Sequence, residues 1–184
     1  MSSAFELSCD RYTYADYEEW DEDFRCELID GIIYMMAPPT LWHQNVVLEV
    51  GSVLRELLKG KKCKPFVEAG VRLFPSIGKT DKDVLLPDII VVCDESKITG
   101  GMLCEGAPDI VFEVLSSSTK LRDLNVKKRI YKQAGVKEYW IIAEEYAIRW
   151  IWKDDIEEEI RFMRINGVIS MPVETIQICI ELDI

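Results

Sequence analysis

Asp88, Glu113 and Lys127 are the residues of this 184-residue chain whose types and order suggest a reaction. Asp88 follows Pro87 inside Leu85 to Cys93, a stretch otherwise almost wholly apolar, and Glu113 interrupts a second apolar run from Asp109 to Leu115. A carboxylate in a buried strand is costly unless it is paired, protonated, hydrogen-bonded or metal-bound. Two in successive strands suit a metal or catalytic site, or else strand-end carboxylates that cap a loop or pair with an arginine. Magnesium takes one or two carboxylates, keeps several waters and is completed by phosphate oxygens. Mg2+ or Mn2+ held there would polarise a phosphoryl group and lower the pKa of an attacking water. A nearby ammonium would orient that water and stabilise charge developing on the phosphoryl oxygens. Lys127 lies four residues after Asp123 and four before Tyr131, so the three share one helix face. The competing reading is an Asp/Lys pair on a solvated face. Between Lys120 and Lys137 seven basic residues accompany one acidic residue, a local positive field that suits a polyanionic substrate.

The elements that must position these groups follow from pattern. Thr13, with Asp16 three residues on, predicts the N-terminus of a short exposed helix among Tyr12, Tyr14, Tyr17 and Trp20. Asp30-Gly31 between Cys26–Ile29 and Ile32–Met36 predicts a hairpin. Val46, Val47, Val50, Val53, Leu54, Leu57 and Leu58 recur at helical spacing up to Gly60. Phe66 to Phe74 reads as a strand, Pro75 to Asp83 as a polar loop, and Leu85 to Cys93 and Asp109 to Leu115 as strands buried on both faces. A helix runs from about Lys120 to Ala134 and stops at Gly135. Tyr139–Ile142 is a further central strand, and Ala147–Trp152, Arg161–Ile165 and Thr175–Leu182 are more peripheral ones. The order predicts an α/β class with a mixed sheet flanked by helices.

A net charge of -11 argues against a coat protein that binds nucleic acid by neutralising many phosphates, so any such contact must be local. The six cysteines lack a Cys-x-x-Cys pair and there is one histidine, which excludes zinc-finger spacing; reduced thiols without disulfides are expected. No basic start leads into an apolar stretch, and no run approaches a membrane span, so a cytoplasmic protein with no membrane association is expected. Among lesser candidates, His43 precedes the long helix and either ligates metal, contacts phosphate or plays a structural part. Glu27 is either a third acidic group near the metal or a surface carboxylate. Glu49, inside the long helix, is either a further acidic contributor to the site or, as the periodicity favours, a solvent-side residue, and Trp140, Trp150 and Trp152 read as packing rather than base-stacking platforms.

Together, Glu27-Leu28-Ile29-Asp30-Gly31, His43 opening a Val/Leu-rich helix, Pro87-Asp88, Glu113-Val114-Leu115-Ser116, Asp123-x3-Lys127-x3-Tyr131 and Gly135-Val136-x-Glu138-Tyr139-Trp140 resemble the Uma-two family, a bacterial group abundant in cyanobacteria. The resemblance covers residues 14 to 183 and implies a restriction-endonuclease-like fold of the PD-(D/E)XK type, one domain over 1–184 with an N-terminal helix and hairpin extension. It implies Asp88 and Glu113 as ligands of Mg2+ or Mn2+, and DNA as the substrate. The pattern's usual lysine, two residues after the Glu, is Leu115 here, which assigns that role to Lys127 on the following helix, with Tyr131 orienting it. A homodimer is expected because duplex DNA favours paired sites, with Thr175–Leu182 as a candidate seam. The competing expectation is a catalytically silent nuclease-fold module that binds nucleic acid or protein.

Overall fold

The computed structural model describes residues 11–21, 24–100, 103–116, 120–154 and 156–183. The chain opens with a short helix α1 (Tyr14–Glu18), on which Thr13 and Asp16 form a capping box, and its Tyr14 is buried rather than exposed. Strands β1 (Cys26–Ile29) and β2 (Ile32–Met35) form the hairpin. Its turn places Asp30 and Gly31 at φ +49° and +74°, and a Cβ on Gly31 would lie 2.6 Å from that of Arg11. Helix α2 (Leu41–Leu57) is capped by the Thr40 side chain and buries Val46, Val47, Val50 and Leu54. Then come β3 (Lys64–Val67), β4 (Gly70–Arg72), β5 (Val84–Leu85), β6 (Ile89–Val92), β7 (Ile98–Thr99), β8 (Leu103–Glu105) and β9 (Ile110–Val114). A π-helical turn (Arg122–Lys127) runs directly into α3 (Lys128–Ala134), which ends at left-handed Gly135. The rest is strand: β10 (Glu138–Ile142), β11 (Tyr146–Lys153), β12 (Ile156–Met163), β13 (Val168–Val173) and β14 (Ile178–Asp183).

The central mixed sheet has the order β12-β11-β10-β9-β6-β3, with β9 and β10 parallel and the other neighbours antiparallel. A second sheet, β2-β1-β5-β4-β8-β7, lies beside it, and β13 and β14 form a separate ribbon. Because side chains alternate along a strand, Ile110, Phe112 and Val114 of β9 pack with α2 and the ribbon. Val111 packs on the opposite face with α3 and the second sheet. Glu113 shares that second face.

Two expected strands are each divided between sheets. Phe66 to Phe74 breaks at Glu68, whose φ of +50° turns the chain, so β3 joins the central sheet and β4 the second. Gly70 begins β4 where a Cβ would meet Leu103 at 2.5 Å. Leu85 to Cys93 breaks at Leu86-Pro87-Asp88: Pro87 has no N–H to continue a ladder, and the chain crosses from β5 in one sheet to β6 in the other. Asp88 sits at that crossing, where its carbonyl accepts the Glu68 N–H at 3.0 Å. Near the C-terminus, β11 is largely buried rather than peripheral, Glu174–Ile176 is a 3-10 turn, and β13 appears where no strand was expected.

The expectation of wholly reduced thiols is corrected by a Cys63–Cys93 disulfide. These residues directly flank β3 and β6, and the pairing of Lys64 with Val92 brings them opposite one another. Thirty residues separate them in sequence, so no local spacing motif announces the pair. Cys26 and Cys104 are free and buried, and Cys179 is free and exposed.

Candidate active site

Where the two sheets meet, β1, the Leu86–Asp88 crossing, β9 and the π-helical turn surround a cleft of about 560 Å³. Its floor is a group of buried charges. The Lys127 Nζ lies 2.7 Å from Glu27 Oε1, 3.0 Å from Glu113 Oε1 and 3.4 Å from Asp123 Oδ1. All four residues are at most 4% exposed. Tyr131, one turn along the same helix face and fully buried, donates its hydroxyl to Glu113 Oε1 at 2.9 Å. Glu27 Oε1 also accepts the Leu86 N–H at 3.2 Å, which ties β1 to the crossing.

Sheet register sets the relation between the two carboxylates first singled out. Ile89 of β6 pairs with Phe112 of β9 in an antiparallel ladder. One further step sets Asp88 opposite Glu113, and opposed residues project from the same face. Asp88 Oδ2 accepts the Val114 N–H at 2.7 Å, while Oδ1 lies 3.2 Å from His43 Nε2. His43 itself is held in the first turn of α2, where its N–H bonds the Thr40 side chain.

Three carboxylates around one ammonium is an unbalanced arrangement in a low-dielectric setting. Burial pushes the Glu113 carboxyl well above the usual carboxylate range; Lys127 opposes this, and Asp88, Asp123 and Glu27 reinforce it. Burial alone would favour loss of the Lys127 proton, but Glu113, Glu27 and Asp123 outweigh it and raise its pKa, so the amine stays charged. Burial likewise lowers the His43 pKa, and the Asp88 hydrogen bond and charge reverse this, so the net shift is upward. Burial and the Glu113 charge raise the Tyr131 hydroxyl well above its ordinary value.

A π-helical turn carries Asp123 and Lys127 into this group. It is wider than an α-turn and is often found at functional positions. It turns both Asp123 and Lys127 inward, and Tyr139 of β10 anchors it by donating its hydroxyl to the Asp123 carbonyl at 3.1 Å.

The structure brings Asp88, Glu113, Lys127, Tyr131, His43 and Glu27 to one place. Glu49 is exposed, and Trp140 and Trp150 are buried in the core. The positive field of Lys120–Lys137 is reduced locally, four of its seven cations being paired: Lys128 and Lys132 with Glu157, Lys137 with Asp109, and Lys127 with the three carboxylates. The acidic run Glu157–Glu159 of β12 lies beyond any helix-centred window, so the helix sequence gives no sign of that pairing. Asp123 as a member of the cluster was visible only as a helix-face neighbour. Arg122 and Tyr34, which also meet at the cleft, had no sequence signal of their own.

Among the described residues, no three His, Cys, Asp or Glu side chains converge as a ready-made metal-ligand group. The donor chemistry nevertheless fits a hard divalent ion: two carboxylates on facing strands open on a cleft, and such ions commonly keep water in their remaining positions. A cation there would also relieve the excess negative charge that burdens Glu113.

No curated protein matches the sequence. A crystal structure described as a putative nuclease belonging to DUF820, from Anabaena variabilis ATCC 29413, superposes with a TM-score of 0.71 at 20% identity, covering 90% of this chain and 91% of that one. At that identity the likeness establishes the fold, a nuclease-type mixed sheet with flanking helices. The family model Uma2, described as "putative restriction endonuclease", matches residues 14–158, and the chain belongs to that family.

Proposed function

We propose that this protein is a Mg2+- or Mn2+-dependent DNA endonuclease in which Asp88 and Glu113 hold the metal and Lys127 supplies a fixed positive charge. The observation that carries this reading is the imbalance at the cleft floor: Glu27, Glu113 and Asp123 surround one ammonium, with Asp88 beside them. A bound Mg2+ or Mn2+ would contribute Lewis acidity and a water of lowered pKa. Tyr131 and Lys127 both bond Glu113 Oε1, which leaves Oε2 as the oxygen for a cation. His43 and the Val114 N–H orient the Asp88 carboxylate.

Glu113, Glu27 and Asp123 raise the Lys127 pKa and hold the amine charged. Its part is to fix Glu27 and Glu113 and to offset charge that develops on the phosphoryl oxygens. It thereby takes the place of the lysine missing at Leu115, reaching Glu113 from the helix instead of along the strand. The whole chain is taken as one such domain, cytoplasmic, and paired as a homodimer on duplex DNA.

Plasmid nicking with Mn2+ tests the reading. Wild-type protein should nick, and Asp88→Ala and Lys127→Ala should each lose about a hundredfold or more of that activity. Equal nicking by all three would mark contamination and end the claim. No nicking by folded wild type with either metal would favour the silent binding module, the reading that Leu115 supports.

A further inference from the structure

We propose that Arg122 is the phosphate anchor of the cleft, the side chain that seats the DNA backbone over the carboxylates. The inference takes its ligand class from the nuclease reading but stands on separate observations. The acidic floor cannot by itself attract a polyanion, and each neighbouring cation is already committed. Lys127 is enclosed by three carboxylates, and Arg25, at the cleft mouth, pairs with Glu68 at 3.2 Å. His43 is paired with Asp88.

Arg122 differs from all of these. It lines the same cleft, at the first residue of the π-helical turn, and its guanidinium lies over the Tyr34 ring at 4.7 Å from the centroid. Its ion pair with Glu27 is loose, at 4.0 Å from Nε to Oε2. The buried Nε has no hydrogen-bond partner among the described residues. Tyr34 stands directly across the β1–β2 ladder from Glu27, so the hairpin presents the ring and the carboxylate side by side beneath the guanidinium. The planar fork is thus held in position by the ring and by Glu27, with its Nη groups, not the enclosed Nε, as the donors that a ligand can reach.

Arginine is suited to this task. Its guanidinium has five N–H donors in a rigid fork that matches phosphate oxygens, stays charged at all relevant pH values and tolerates stacking on an aromatic ring. Two donors of one face can grip a single phosphate in bidentate fashion. A phosphate so held lies next to Glu27 and within the same cleft as Asp88 and Glu113.

The test is the binding of a short fluorescein-labelled DNA duplex, followed by anisotropy across a salt series with Ca2+ present to limit cleavage. Arg122→Gln should bind roughly tenfold or more weakly. Its plot of log affinity against log salt should be shallower by about 0.9, the loss of one phosphate contact. Arg122→Lys should keep the slope and recover part of the affinity, because the charge remains and the fork does not. Tyr34→Leu should weaken binding less and leave the slope unchanged. Thermal melts of each variant establish folding, and a fold defect in Arg122→Gln passes the decision to Arg122→Lys and Tyr34→Leu. Wild-type affinity and slope in Arg122→Gln, or no DNA binding by the wild type, would overturn the assignment. Plasmid nicking is read separately. Wild type that binds with this Arg122 dependence but never nicks removes the catalytic reading alone, and Asp88-dependent nicking with an unchanged Arg122→Gln slope removes the anchor alone.

Discussion

Two groups of buried charge in this chain are built from the same kinds of residue and differ in their balance. In the second sheet, Arg72 places Nε and Nη2 on the two oxygens of Asp81, each at 2.6 Å, and the Ser76 N–H and hydroxyl bond the same carboxylate. Glu105, partly exposed, takes Nη1 at 3.1 Å, and the Tyr14 ring covers the guanidinium at 4.1 Å. Burial opposes ionisation of Asp81, but these bonds overcome it and lower its pKa to about 2. At the cleft floor, one ammonium faces three buried carboxylates, and the Glu113 pKa moves the opposite way. Both clusters are buried, so burial alone does not distinguish them. What separates them is unmatched charge beside an opening: Arg72–Asp81 is closed and satisfied, whereas the Lys127 group is short of positive charge and lines a cleft.

Removing the central cation from each cluster tests that contrast most severely. Arg72→Met and Lys127→Met each strand buried carboxylates and should cost about 3–5 kcal/mol in urea unfolding. Only Lys127→Met should also reduce nicking per folded molecule, by about a hundredfold or more. If Arg72→Met, measured at equal folded concentration, removes activity as fully, the two clusters are not functionally distinct.

The pH dependence of stability should differ in sign. Glu113 has a folded pKa above its ordinary value of 4.5, so the folded state holds the proton more tightly than the unfolded chain. Stability from this group is complete below 4.5 and is lost as pH rises through the folded value. Asp81 behaves in reverse: its contribution is present above 3.8 and disappears as pH falls towards about 2. Urea midpoints measured upward from pH 4.5 should therefore decline in wild type and stay flatter in Glu113→Gln. Added Mg2+ should reduce the wild-type decline. An identical decline in wild type and Glu113→Gln would show that another group carries it.

Tyr131→Phe offers the smallest effect. It deletes the hydroxyl bond to Glu113 while preserving the ring contact with Tyr139. About 1 kcal/mol of stability should be lost, with nicking lowered less than about tenfold. A loss as large as that of Lys127→Met would promote Tyr131 from a support of Glu113 to a principal part of the chemistry.

The legible features in the sequence were those set by neighbours along the chain. Thr13 with Asp16, Asp30-Gly31 and the Val/Leu stripe of α2 each encode a cap, a turn or a face within a few residues. Asp88 and Glu113 stood out because a charge inside an apolar strand violates its surroundings. Glu27 carried the same signal in Cys26-Glu27-Leu28-Ile29, a run that is buried throughout, but the shortness of the run left a surface strand equally tenable. What stayed hidden depends on pairing across the fold. Whether Phe66 to Phe74 is one strand or two rests on the turn at Glu68, and the Cys63–Cys93 bridge rests on β3 meeting β6. The pairing of the basic helix with β12 has the same origin.

The π-helical turn gives the cleft a dependence on chain length as well as on residue type. An α-helix advances by about 100° per residue, and a π-turn holds more residues per revolution. Winding the same six residues as an α-helix would turn one end further against the other by most of one such step, so this residue count is accommodated only with the wider winding. Either Lys127 would leave Glu113, or Arg122 would leave Tyr34. Substitutions at half-buried Leu124 and Val126 alter packing while preserving this phase. The segment therefore acts as a spacer whose residue count sets which two cations look into the same opening.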